Sequence, residues 1–227
     1  MISVGYISNG DEKTHFSNSL YMMGMQDKRI TKVHVIISGP RIATARNDVI
    51  KEFLKTDNQW ILLLDSDMVF APDLLEKLLA TANERIRPVV GGLCFGGGRV
   101  GIPFPTLYAL TSPKENNGRV TKVISNYPKD ALCKVDATGA ACLLIHRDVL
   151  LNMEKEFGNM PDGYSNPHPW FAETVHMGHE YGEDWTFCMR LRQLKVPIYV
   201  NTAAKLGHVK TQIYDEEFYE QWRKFNA

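Results

Sequence analysis

Residues Trp60–Asp67 read WILLLDSD. An unbroken apolar run, Trp60–Leu64, drives into two aspartates separated by one serine. A run of this kind suits a parallel strand covered on both faces. A charge at its end has to be paired, hydrated or bound to a metal, because an isolated ionised carboxylate in apolar surroundings is very costly. If the strand continued through both aspartates, residues i and i+2 would point the same way, with about 6.5 Å of rise between them. One carboxylate would then grip a divalent cation while the other holds a sugar or ribose hydroxyl. The competing reading of Asp-x-Asp alone is a solvated turn that caps the following helix.

Working outward, Ile2–Ser8 reads as a strand and His15–Gln26 as a helix. Val33–Ser38 is a second strand, closed by Gly39-Pro40. Arg41–Lys55 places Ile42, Ala45, Val49 and Phe53 at helical spacing. After the aspartates, APDLLEKLLATA has Pro72 in a first helical turn and Asp73 and Glu76 at the positive end, with Leu74, Leu75, Leu78 and Leu79 as its buried stripe. Strand and helix alternate three times, which begins a doubly wound α/β sheet whose ligands bind beyond the C-terminal strand ends. Asp65 and Asp67 fall at such an end.

The pattern changes after Pro88. PVVGGLCF is a strand that runs into GGGRVGIPFP, read as a mobile active-site loop without the Gly-Lys-Ser/Thr ending of a phosphate loop. Leu107–Leu110 and Val120–Ser125 flank the turn-rich PKENNG as a hairpin. Lys134–Asp136 and Ala141–His146 are strand pieces, and a helix starts at Arg147. Residues 158–181 are a long loop whose Tyr164, Trp170 and Phe171 either face an acceptor or pack as an Ω-loop. Asp184–Leu194 is a helix, Ile198–Asn201 a strand and Asp215–Phe225 a last helix with an aromatic stripe. The division expected is a nucleotide-binding half, 1–95, and an acceptor and metal half, 96–227, within a single domain.

Composition is that of an ordinary soluble globular chain, 44% apolar and 23% charged. Twenty-six Lys and Arg balance 26 Asp and Glu, so no broad positive field draws the chain to nucleic acid or an anionic membrane. Cys94, Cys133, Cys142 and Cys188 are far apart and read as reduced thiols of a cytosolic protein. The N-terminus lacks the basic start and apolar run of a signal peptide, and no apolar stretch approaches the roughly 18 residues that span a bilayer. The expected location is the cytoplasm, that of the host if the source is viral.

Three further features join the aspartates: ATARND, with Arg46 and Asn47; GEDWTFCMRLRQLKVPIYV, with Glu183 and Asp184 opening a helix; and KLGHV, with His208. With LLLDSDM and DATGAACLLIHRDVL, in this order over residues 38–210, the chain resembles the GT-A glycosyltransferases. The likeness is to the family-2-like group that includes short stand-alone bacteriophage and bacterial members. The resemblance implies a GT-A fold, a Rossmann-like mixed sheet flanked by helices. It implies sugar transfer from a nucleotide-diphosphate sugar, a UDP-sugar first, to a protein, a glycan or a modified DNA base. Asp67 and His208 would ligate Mn²⁺ or Mg²⁺, with Asp65 beside them on the ribose or in the metal shell. Asp184, next to Glu183, would be the general base, ionised at its helix N-terminus. Arg46 would organise the carboxylates or the donor sugar, with Asn47 next to it.

Related enzymes open with a Pro-Thr-Tyr-Asn-like turn after the first strand, where this chain has ISNGDEKTH. Ser8, Asn9, Ser38 and Arg41 lie at the strand ends that would serve the nucleotide instead. Two other readings stay open at this level: a nucleotidyltransferase that makes sugar nucleotides, and a non-catalytic binding module on the same fold.

Overall fold

The computed structural model describes residues 1–39, 41–97, 103–112, 120–158, 168–176, 179–210 and the single positions 216, 218 and 223. The first half alternates as read: β1 (Ile2–Ser8), α1 (Thr14–Gln26), β2 (Ile30–Ile37), α2 (Ile42–Leu54), β3 (Trp60–Asp65), β4 (Met68–Phe70), α3 (Leu74–Thr81) and β5 (Val89–Leu93). Short strands follow: β6 (Phe95–Gly97), β7 (Pro103–Pro105), β8 (Leu107–Leu110), β9 (Thr121–Val123), β10 (Leu132–Val135) and β11 (Ala137–Thr138). The rest is β12 (Cys142–His146), α4 (Arg147–Phe157), β13 (Thr174–His176), β14 (His179–Tyr181), α5 (Glu183–Gln193) and β15 (Ile198–His208).

One eight-stranded sheet organises the chain in the order β10-β15-β5-β12-β3-β1-β2, with β4 joined to β15. Pairs β1–β2, β1–β3 and β5–β15 are parallel, while β12 runs antiparallel between β3 and β5. This is a mixed sheet, as the GT-A resemblance implies, rather than a fully parallel one. Between β5 and β12 the described chain forms short strands and no helix, whereas a parallel neighbour is usually reached through a helical crossover.

β3 shows why its sequence is apolar throughout. Ile61 and Leu63 face α2, where they join Val49, Ile50 and Phe53. Leu62 and Leu64 face the other layer, against Phe16 and Met23 of α1 and Leu74, Leu75 and Leu78 of α3. All are buried, and each such side chain contributes about 1.5–3 kcal/mol on leaving water. Gly5 lets α2 lie close on β1, since a Cβ there would collide with the Val49 side chain.

Several readings change in extent. β2 starts earlier than expected, at Ile30, and α3 starts at Leu74, with Pro72 and Asp73 leading into it. β15 runs to His208, seven residues beyond the expected end, with a register shift against β5 between Asn201 and Lys205. Its last three residues pair antiparallel with β4, His208 opposite Met68. That pairing partner is a three-residue strand, which leaves almost no periodicity to read. β8 and β9 form the expected hairpin, and β6 pairs with β7 across the Gly-rich segment.

Residues 98–102 of that segment, PKENNG, Tyr164 and most of the last helix lie outside the described residues; Glu216, Phe218 and Arg223 are helical. In the long loop Trp170 and Phe171 are buried, so they pack into the core and offer no face to an acceptor. The cysteines are free thiols, three of them buried. No described helix is long and apolar enough to cross a membrane.

Candidate active site

The C-terminal ends of β1, β2 and β3 open onto a cleft of about 260 Å³ lined by Asn9, Asp11, Lys13, Ser38, Asp65 and Asp67, with Arg46 at its wall. The strand ends put it there, as expected for an open α/β sheet. The two aspartates do not continue one strand. β3 ends at Asp65, and Ser66 and Asp67 form the turn into β4. Their carboxylates therefore meet different partners.

Asp65 belongs to Arg46. The guanidinium of this α2 residue is buried; Nη2 donates to Asp65 Oδ1 at 2.6 Å and Nη1 donates to Glu183 Oε1. Its plane also lies over the Phe171 ring, 5.6 Å from the centroid. Burial works against its charge, but the carboxylates of Asp65 and Glu183 outweigh burial and hold its pKa above the ordinary value. One buried arginine thus joins the end of β3 to the start of α5.

Asp184 follows Glu183 and turns the other way. Its Oδ1 accepts the backbone N–H of Trp185 at 2.7 Å, and a Cβ placed on Gly139 would lie 3.8 Å from its Oδ2. The helix N-terminus alone argued for a readily ionised carboxyl; the direction is the reverse. Burial and the neighbouring Glu183 charge push it above the usual carboxylate range, against the pull of Arg46 and the Trp185 amide. A carboxyl raised in this way is better matched to proton transfer near neutral pH than an ordinary one.

Asp67 belongs to the end of β15. His208 Nε2 lies 2.8 Å from Asp67 Oδ2, and Lys210 Nζ donates to the same oxygen at 2.9 Å. His208 Nδ1 lies 2.9 Å from the Phe95 carbonyl oxygen. Burial pulls the Asp67 carboxyl up, but the hydrogen bonds from Lys210 and His208 outweigh it and leave it below the ordinary value.

Asp67 and His208 are residue types that bind divalent cations. A Phe95 carbonyl that takes the Nδ1 proton leaves Nε2 with a lone pair aimed at a carboxylate, and only a proton or a cation between them makes that favourable. Among the described residues no three His, Cys, Asp or Glu side chains gather around one point. Asp65, expected beside Asp67 and His208 on the ribose or in the metal shell, is held by Arg46 through one of its oxygens.

The remaining expected residues separate. Asn47 is fully buried: its Nδ2 donates to the carbonyls of Ala43 and Phe171, and its Oδ1 accepts the Phe171 N–H. It clamps the long loop and has no surface left for a donor. Ser8 is buried too, its Oγ accepting the Gly10 N–H. Asn9 and Ser38 line the cleft, whereas Arg41 lines a neighbouring one of about 270 Å³ that shares Ser38. Sequence reasoning missed Asp11 and Lys13 in the cleft, Lys210 on Asp67 and Phe171 under Arg46. The first two were visible as charges in ISNGDEKTH; nothing local marked the others.

The family model for glycosyl transferase family 2 matches residues 21–136, just over half of the chain. No curated protein matches its sequence. Among solved structures the chain is similar to A197 from STIV, at 15% identity and a TM-score of 0.55, over 95% of this chain and 97% of that one. It is similar to GalNAc-T7 solved with UDP, GalNAc and Mn²⁺, at 14% identity and 0.52, over 92% of this chain and 44% of that one. A third is S. aureus TarS 1–349 in complex with UDP-GlcNAc, at 16% identity and 0.51, over 98% of this chain and 64% of that one. Identities this low carry the shared fold, and the family match carries the rest: the chain belongs to glycosyl transferase family 2 and is a glycosyltransferase on the GT-A fold.

Proposed function

We propose that this glycosyltransferase takes its sugar from a nucleotide-diphosphate donor, a UDP-sugar first, and passes it to an acceptor hydroxyl deprotonated by Asp184. The observation that carries the reading is the buried Arg46 bridge between Asp65 and Glu183. It ties the donor-side carboxylate to the start of α5, and the charges of Arg46 and Asp65 both act on Asp184. On this reading residues 1–95 carry the donor cleft, and 96–227 supply Asp184 and His208.

Asn9 and Ser38 contact the nucleoside, with Arg41 at the next groove, and Asp65 meets the ribose or the sugar. Asp67 and His208 would hold Mn²⁺ or Mg²⁺, which when bound offsets the charge on the departing diphosphate. Lys210 must swing off Asp67 for that exchange, and at 59% side-chain exposure it is free to do so. In the transfer the acceptor hydroxyl gives its proton to Asp184 and its oxygen bonds to the anomeric carbon. The bond from that carbon to the diphosphate breaks, and the nucleoside diphosphate leaves with the electron pair.

A screen of sugar nucleotides for thermal stabilisation and slow hydrolysis, with and without Mn²⁺, tests the reading. A donor that binds the folded state stabilises it by mass action, by about 2.7 kcal/mol at a hundredfold excess over Kd, and so raises its melting temperature. Metal-dependent stabilisation by one donor is the expected result. Stabilisation without hydrolysis or transfer by any donor points to a binding module, and no stabilisation at all overturns the donor cleft.

A further inference from the structure

The acceptor side of the site lies where β14 runs into α5. Tyr181 and Trp185 bracket Glu183 and Asp184 in the chain, and their rings stack with centroids 6.1 Å apart and planes 19° apart. Both are half-buried. The hydroxyls of Thr174 and Thr186, 2.9 Å apart, tie the hairpin β13–β14 to α5 and so fix the ring pair in place. The amide of Trp185 itself donates to Asp184. Trp185 also packs partly against the core, so a half-buried aromatic pair is held next in the chain to the proposed base.

Charge narrows what that surface can take. Residues 173–189 contain Glu173, Glu180, Glu183 and Asp184 and no Lys or Arg. Among the described residues the cation ion-paired to this stretch is Arg46, which is engaged by Asp65 and Glu183. A phosphodiester polymer draws most of its affinity from cations on the protein, and here it would meet carboxylates. A Ser or Thr side chain brings a hydroxyl without a flat face beside it. A pyranose brings both, an apolar C–H face for the rings and hydroxyls on its rim.

We infer that the acceptor is an uncharged saccharide whose ring lies on the Tyr181–Trp185 pair while one of its hydroxyls reaches Asp184. The inference rests on the reading of Asp184 as base. The two rings stack on each other, so the sugar face meets one outer ring face of the pair; stacking of a nucleobase on an aromatic side chain is worth about 1–3 kcal/mol, about tenfold in affinity.

With a working donor, the wild type is offered a panel of neutral nitrophenyl pyranosides, a Ser/Thr peptide and a hydroxymethylated DNA duplex. Transfer to at least one pyranoside is expected. Trp185→Leu should raise the KM for that pyranoside about tenfold or more with a much smaller change in kcat, while keeping the donor-induced thermal shift. Tyr181→Ala provides the same readout if the first variant folds poorly. Use of the peptide or the duplex with no pyranoside, or an unchanged KM in both variants, overturns the saccharide inference alone. Transfer undiminished in Asp184→Asn overturns the base assignment and this inference with it.

Discussion

Two aspartates two residues apart meet opposite treatment. Asp65 is held by a guanidinium whose side chain is only 9% exposed and which holds Glu183 at the same time. Asp67 is held by an imidazole and by a lysine that solvent reaches freely. No ligand can displace the first cation without stranding two carboxylates, whereas the exposed lysine can leave Asp67 at small cost. On the proposed reading the Asp65 end is frame and the Asp67 end is socket. A motif of two like residues does not imply two like roles.

Removing the frame has the largest expected effect. Arg46→Met keeps the volume but leaves Asp65 and Glu183 unpaired, and it should cost about 3–5 kcal/mol of stability, the scale for breaking a buried ion pair. Urea unfolding measures it. A loss below about 1 kcal/mol would mean that the bridge is not what holds β3 to α5.

Next comes Asp184. Asp184→Asn should keep donor affinity and lower transfer by about 10²-fold or more, roughly 2.7 kcal/mol of barrier. Its stability should move the other way. Because the folded pKa is raised, the folded state holds a proton that the unfolded state releases above about 3.9, so stability falls as pH rises through that window. Asparagine does not titrate, so the variant should be more stable than the wild type at pH 8, and the gap should close near pH 3. Denaturation of both proteins at the two pH values decides it; a gap of the opposite sign would show that Asp184 is a stabilising carboxylate.

The loop clamp is smaller. Asn47→Ala strands the N–H and carbonyl of Phe171, and about 1–3 kcal/mol of stability should be lost. The change reaches the frame only through Phe171 under Arg46, so donor affinity should move less than in Arg46→Met. Equal losses of donor affinity would place Asn47 in the cleft after all.

At the socket the fold should barely respond. Asp67→Ala should change stability by less than about 1 kcal/mol, since the pairs it breaks are partly exposed. It should abolish the Mn²⁺-dependent part of donor stabilisation in the same thermal-shift assay. Retained metal dependence would move the cation site elsewhere and make the Asp67–His208 pair a plain ion pair.

How much of this was legible in the residues varies with how local the cause is. The apolar run of β3 and the helical spacing of α2 each reflect a face buried against a neighbour, and burial writes itself into sequence as periodicity. The alternation of strands and helices, the turn to a mixed second half and the presence of carboxylates at a strand end were therefore determined by the sequence alone. Charges near a strand end say only that something must compensate them. Which cation does so depends on partners 19, 137 and 141 residues away. Only the tertiary structure decided that Arg46 takes Asp65 and Glu183, that Asn47 and Ser8 are sealed inside, and that burial lifts the Asp184 carboxyl against its helix end. It also carried β15 on to His208, through a pairing with three residues of β4. Periodicity records the face a residue presents to the core, but long-range pairing and desolvation depend on what the folded chain brings to that residue, and no neighbouring position in the sequence carries that information.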